Sequence, residues 1–143
     1  MQAMKAMKAA LILAMGWGTL AGAAPIPVRQ PLGTLPIAPG KTVDRVETTR
    51  VSFSPGQNMP RHKHNVPVIC FVTRGSFLVS IGTAPVRTVG TGEVTLEPAG
   101  AVVQYFRNAS SKAPAELLCA ALAGDADKVL NVMLEPTRNP IAP

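Results

Sequence analysis

The feature that most constrains the fold is a regular alternation of short β-branched runs with proline- and glycine-containing turns, beginning at Thr42. The runs of strand length cover 43–53, 66–73, 77–81, 86–89, 94–97, 102–106, 117–122 and 129–134. Short strands at this spacing are typical of a β-sandwich or β-barrel. No long stretch follows a 3.6-residue period, and no internal repeat indicates a solenoid or propeller. We therefore predict an all-β fold.

Residues 113–126 are rich enough in alanine to make a helical turn an alternative in this part of the chain. Pro114 and Gly124, however, bound a run of strand length, and an all-β neighbourhood has few uses for an isolated short helix. We therefore predict a strand at 117–122.

The N-terminus has the pattern of a secretory signal peptide. Lys5 and Lys8 precede an apolar run over 9–20, and Ala21-Gly22-Ala23 supplies an A-x-A cleavage motif. The apolar run is too short and too interrupted by glycine to span a bilayer, and nothing downstream approaches 18 consecutive apolar residues. We predict an exported protein, periplasmic or secreted, without membrane insertion.

The chain divides into a signal peptide (1–23), a proline-rich extended arm (24–41), one β-barrel domain (42–135) and a C-terminal tail (136–143). The formal net charge of +6 includes two lysines of the signal peptide. The remaining basic residues are scattered singly and are not interleaved with aromatic residues, as a nucleic-acid interface would require. We therefore predict no nucleic-acid partner.

Both histidines of the chain, His62 and His64, lie one residue apart in a strand-like stretch after a Pro-Gly turn. On a strand, residues i and i+2 point to the same face. Two imidazole nitrogens aimed at one point are the minimum of a transition-metal site, and further ligands must come from elsewhere in the chain. The alternative is a polar pair in a pocket or at a strand end.

The surroundings of this pair resemble the first motif of the cupins, a family of small jelly-roll barrels that bind a metal through two short motifs. Gly56, His62, His64 and Gly75 match the pattern in spacing. Val68 stands where the family usually has a glutamate. The resemblance implies that this part of the chain builds one half of a metal site.

The second cupin motif is matched by Gly92, Pro98 and Gly100, with Val103 where the family usually has a histidine. The stretch 97–110 is similar to single-domain, quercetinase-like cupins, some of which spell the first motif without the glutamate. The resemblance therefore implies a single-domain cupin jelly-roll barrel, also called a double-stranded β-helix, with a reduced metal site.

Which other residues could complete the metal shell that the resemblance implies depends on the strand register. If the Pro-Gly anchor sets the strand register, Val103 and Tyr105 face the barrel interior. In the family the second motif ends with an asparagine four residues after the histidine. If Asn108 is that asparagine and sets the register, Gln104 stands in the histidine position after a bulge and offers a carbonyl oxygen. Glu97 is the nearby carboxylate, and its alternative interpretation is a solvated residue at a turn.

Cys70 and Cys119 are the only cysteines, and export would bring both into an oxidising compartment. Cys70 shares strand parity with Val68 and should point into the barrel. In the jelly roll that we infer, the two cysteines belong to opposite sheets about 10 Å apart, which is too far for a bridge. We therefore favour buried free thiols over a disulfide, and Cys70 as a soft metal ligand is a third option.

The first functional hypothesis is an exported cupin that binds a small organic molecule and has a reduced or absent metal site. The predicted pocket residues are Val68, Cys70, Val103 and Tyr105. Valine at two positions where the family has metal ligands favours this hypothesis, because it removes donors and makes the pocket apolar.

The alternative hypothesis is a metal-dependent cupin enzyme, dioxygenase- or isomerase-like. Its metal ligands would be His62 and His64, completed by Gln104 or Glu97, and the ion would be Fe, Mn, Ni or Zn. Cupins of this kind commonly dimerise through sheet faces, so the resemblance also offers a homodimer, which the sequence does not demonstrate.

Overall fold

The computed structural model describes residues 28–134, and its regular elements within this range are β-strands without a helix. They are β1 (Arg45–Phe53), β2 (His62–His64), β3 (Val68–Arg74), β4 (Ser76–Ile81), β5 (Arg87–Gly90), β6 (Val94–Glu97), β7 (Val102–Asn108), β8 (Ala115–Ala123) and β9 (Asn131–Met133). The all-β prediction is confirmed, and so is the strand at 117–122. The predicted signal peptide, the start of the arm and the C-terminal tail lie outside the described residues, and the domain boundaries stay predictions.

The strands form two antiparallel sheets. The four-stranded sheet has the order β1-β8-β3-β6, and the five-stranded sheet has the order β5-β4-β7-β2-β9. Strands that follow one another in sequence, such as β2 and β3, often belong to different sheets, so the chain crosses repeatedly between the two layers. This connectivity is that of a jelly roll, as predicted.

One end of the barrel is closed by a packed aromatic core. The rings of Phe53, Phe77 and Phe106 lie against one another, with centroids 5.1 to 5.9 Å apart. All three side chains are buried, together with alternate residues of β3 and β4 such as Val72 and Val79. The period-2 alternation of apolar side chains therefore directs them to one face of each strand, where they fill this end of the barrel.

The turn between β3 and β4 depends on Gly75. Its φ of +78° lies in the left-handed region, which side chains rarely adopt, and an added Cβ would come within 2.9 Å of the Ala115 side chain. This glycine was singled out from the sequence because of the cupin-like spacing, and its backbone conformation gives the physical reason for its presence.

The prediction of free thiols at Cys70 and Cys119 is wrong. The two residues form a disulfide, with their Cα atoms 4.0 Å apart. They are direct cross-strand partners of β3 and β8, which are neighbours in the four-stranded sheet rather than members of opposite sheets. This pairing also excludes the option of Cys70 as a thiolate metal ligand in the oxidised protein.

Residues 28–44 form no strand, and most of them are exposed to solvent. Among all the described residues, no helix has the length and apolar character needed to cross a membrane.

Candidate metal centre and adjoining cavity

Strand β2 presents both histidines to the barrel interior. His62 is 5% exposed and His64 is partly buried, and their rings lie with centroids 5.0 Å apart. The strand is held on both sides, because β7 and β9 pair with it. The backbone N–H of Gly100, in the second cupin-like motif, donates to the carbonyl oxygen of His64 at 2.7 Å. The proline-glycine turn therefore fixes the strand that carries the histidines.

The orientation and charge of His62 suit a metal ligand. Its Nδ1 lies 2.9 Å from the carbonyl oxygen of Pro60, which can only accept, so Nδ1 carries the proton and Nε2 keeps a free lone pair. Burial lowers the pKa of His62, although the hydrogen bond to Pro60 opposes this effect. The neutral imidazole, which is the form that binds metal ions, is therefore favoured.

Glu97 reaches the same point from β6. It is 2% exposed, so the alternative of a solvated residue at a turn does not hold. Its Oε2 lies 2.9 Å from Nε2 of His64, and its Oε1 accepts a 3.0 Å hydrogen bond from the hydroxyl of Thr95. Glu97 is also the direct cross-strand partner of Val68. A carboxylate is therefore present beside the position where the first motif usually carries one, but it comes from the neighbouring strand.

The donor set of His62, His64 and Glu97 fits a divalent transition-metal ion. One ligand atom from each residue lies within 4.8 Å of the others. Two imidazoles and one carboxylate form a donor set that Fe and Zn sites use with positions left open for other molecules.

Gln104 does not join this cluster. The pairing of β4 with β7 shifts between Ser80 and Ile81, which leaves Gln104 without a cross-strand partner, as in a β-bulge. Its side-chain oxygen accepts a 3.0 Å hydrogen bond from Nε of Arg61. The bulge also reverses the facing of the residues after it, so that Phe106 lines the barrel interior and Tyr105 does not.

A cavity of about 280 Å³ adjoins the three candidate ligands. Val68 and Cys70, which were predicted as pocket residues, lie in its wall, whereas Val103 is buried in the core outside this wall. Most of the remaining wall is apolar and is supplied by Val51, Phe53, Met59, Phe106, Leu117, Cys119, Ala121 and Leu130, and Glu47, Thr49 and Asn131 are its polar members. Such a cavity can hold a small organic molecule next to the ligands.

The sequence reasoning missed the contribution of β1 to this cavity. Glu47, Thr49, Val51 and Phe53 alternate along β1, and all four line the cavity, from its exposed mouth to its buried floor. Their period of two within the predicted strand 43–53 was a signal that they share a face. The period could not show that this face lines the cavity, because glutamate and threonine are typical of solvent-exposed positions.

Comparisons with known proteins agree with this architecture. The family model of the cupin domain matches residues 49–121, which is slightly more than half of the chain. No curated protein matches the sequence. Among solved structures, oxalate oxidase in complex with the substrate analogue glycolate is similar with a TM-score of 0.54 and 25% sequence identity, over 62% of this chain and 46% of that chain.

Two further structures are similar at lower identity. A cupin-like protein from Thermotoga maritima gives a TM-score of 0.53 and 21% identity, over 62% of this chain and 64% of its own. The DMSP lyase DddQ from Ruegeria pomeroyi DSS-3 gives a TM-score of 0.54 and 21% identity, over 70% of this chain and 46% of its own. These two show the fold alone. The chain spans less than half the length of the oxidase and of the lyase.

Proposed function

This chain belongs to the cupin family, and on that premise we propose that it is an exported protein that holds a divalent transition-metal ion and binds a small organic molecule beside it. The ion would be held by His62, His64 and Glu97. The observation that carries the proposal is the convergence of these three donors, from two opposite sheets, on the wall of an apolar cavity.

The surrounding residues prepare the three donors for an ion. Pro60 fixes the tautomer of His62, and Thr95 orients the carboxylate of Glu97. A bound ion would act as a Lewis acid that polarises an oxygen of a molecule in the cavity. The apolar wall would exclude water and strengthen electrostatic interactions at this point.

Two features support export to an oxidising compartment. The first is the signal-peptide pattern of residues 1–23. The second is the disulfide between Cys70 and Cys119, since disulfides persist in secreted and periplasmic proteins and are rare in the cytosol.

A metal-dependent enzyme, dioxygenase- or isomerase-like, is the second candidate function. It is favoured by the particular donor set, because two histidines and one carboxylate leave positions around an ion open to a substrate. Similarity to an oxalate oxidase at 25% identity also supports it, over the part of that enzyme which this chain spans. Fe, Mn, Ni and Zn remain the candidate ions.

Cobalt substitution tests the proposed ligand set. We expect Co²⁺ added to the metal-free mature chain to develop visible d–d absorption that saturates near one ion per chain. Glu97→Gln should lower the Co²⁺ affinity at least about tenfold, since losing a ligand should cost no less than losing a residue that only orients one. Gln104→Ala is the matched control and should bind Co²⁺ as the wild type does. Equal Co²⁺ affinity of Glu97→Gln and the wild type would show that Glu97 is not a ligand.

A further inference from the structure

The wall of the cavity beside the candidate metal centre, as far as the described residues form it, contains no lysine or arginine. Its charged or ionisable members are the carboxylates of Glu47 and Glu97 and the two imidazoles of the candidate metal centre. Among the described residues that form the wall, a molecule in the cavity therefore meets no lysine or arginine that could pair with a negative charge.

The two carboxylates stand at opposite ends of one row across the four-stranded sheet. The cross-strand partners in this row are Glu47, Ala121, Val68 and Glu97, in that order. Since neighbouring strands are about 4.8 Å apart, the backbone positions of the two glutamates are separated by about 14 Å. Glu97 is buried at the metal centre, whereas Glu47 is exposed at the mouth. An apolar stretch thus separates an acidic mouth from the metal centre.

Arg45 forms an ion pair with Glu47 and also binds the loop after β8. Its Nε donates to Glu47 at 2.8 Å, and its two terminal nitrogens donate to the carbonyl oxygens of Gly124 and Asp127 at 2.6 and 2.8 Å. The guanidinium therefore holds the Glu47 carboxylate and the loop after β8 together. Arg45 does not line the cavity, whereas the Glu47 carboxylate does.

The size and charge of the site limit what it can hold. A cavity of about 150 Å³ holds benzene, so a volume of about 280 Å³ corresponds to a molecule of about ten to twelve non-hydrogen atoms. A divalent ion bound to the Glu97 carboxylate and two neutral imidazoles would leave a net charge of about +1. One anionic oxygen would balance that charge. A second anionic group at the mouth would then face the carboxylate of Glu47 in the wall, whose charge the adjacent Arg45 offsets in part.

We infer that the cavity takes an apolar molecule of about one ring in size, whose single anionic oxygen reaches the metal, and that Glu47 disfavours a second anionic group at the mouth. This inference rests on the proposed metal site. It makes Glu47 a specificity-determining residue, which acts through its charge and not by binding the ion.

Two isosteric probes that differ by one charge test the inference. We would titrate Co²⁺-loaded protein at low salt with 4-carbamoylbenzoate, a monoanion, and with terephthalate, the corresponding dianion, by isothermal calorimetry. Two like charges separated by about half of the 14 Å row would change a dissociation constant in a partly solvated site by about threefold to eightfold. Because Arg45 offsets part of the Glu47 charge, we expect the monoanion to bind more tightly than the dianion by up to about this factor.

A matched pair of variants separates the local effect from net charge. Glu47→Gln should remove most of the preference, because it removes the like charge and frees Arg45 to attract the second carboxylate. Glu116→Gln removes the same formal charge from the outer face of the same sheet, where Glu116 pairs with Arg50, and should leave the preference unchanged.

Three results would overturn the inference: tighter or equal binding of the dianion, an unchanged preference in Glu47→Gln, or no binding of either probe to metal-loaded protein. The cobalt content of each sample distinguishes this failure from that of the proposed function. Protein that takes up no cobalt refutes both, whereas cobalt-loaded protein with the wrong order of affinities refutes the inference alone.

Discussion

Reduction of the Cys70–Cys119 disulfide should cost the fold a large part of its stability. The bridge links positions 49 residues apart. In the chain-entropy treatment, closing a loop of this length in the unfolded state stabilises the folded state by about 4 kcal/mol. For a domain of this size, such a loss corresponds to a fall in melting temperature of roughly 15–30 °C. Because the reduced sulfur atoms remain in place, this perturbation leaves the packing of the cavity wall largely unchanged.

Urea denaturation with and without excess tris(carboxyethyl)phosphine measures this cost. The matched control is the double variant Cys70→Ala/Cys119→Ala, whose free energy of unfolding should not respond to the reductant. Thiol titration in denaturant should find no reactive thiol in the untreated wild type. A loss below about 1 kcal/mol on reduction, or two reactive thiols before reduction, would refute the reasoning.

Three other properties can be tested on the same protein. Glu97→Val should lose the metal site. Val68→Glu combined with Glu97→Val should retain it, because β3 then supplies the carboxylate in place of β6. Co²⁺ titration measures both variants, and loss of binding in both would contradict this prediction. The hydrogen bond from Lys41 lowers the pKa of Asp127 in the folded protein. The pair therefore contributes its full stabilisation above the unfolded-state pKa of about 3.9, and this stabilisation is lost as the pH falls through the lower folded-state pKa. The stability of the wild type should therefore fall more steeply than that of Asp127→Asn below about pH 4 in urea denaturation, and parallel profiles would argue against it. We also predict a homodimer through the outer face of the four-stranded sheet, where the cross-strand partners Phe71 and Leu118 are exposed. Leu118→Glu should convert the dimer to a monomer in sedimentation velocity, and a monomeric wild type at micromolar concentration would exclude this interface.

The sequence was sufficient for those features that depend on neighbouring residues. Strand β8 was predicted because Pro114 and Gly124 bound its apolar run, and the shared face of His62 and His64 follows from their spacing alone. The requirement for glycine at position 75 is equally local, since it arises from the backbone conformation of one turn.

The features that the sequence missed or left open depend on which strands lie side by side. The disulfide exists because β3 and β8 are neighbours, and Glu97 enters the site because β6 pairs with the other edge of β3. The register at Gln104 was likewise left open by the sequence, because the bulge in β7 is defined by its pairing with β4. No spacing within a single strand carries this information, since strand order and register are set by tertiary packing.

The metal content of the purified protein decides whether His62, His64 and Glu97 hold an ion. We would purify the mature chain without a histidine tag, remove bound ions with a chelator, reload it with single divalent ions and measure the metal by elemental mass spectrometry. The account predicts about one equivalent of a transition-metal ion in the wild type and none in His62→Ala, which should remain folded. No retained metal in the wild type after reloading, or equal retention by His62→Ala, would contradict it.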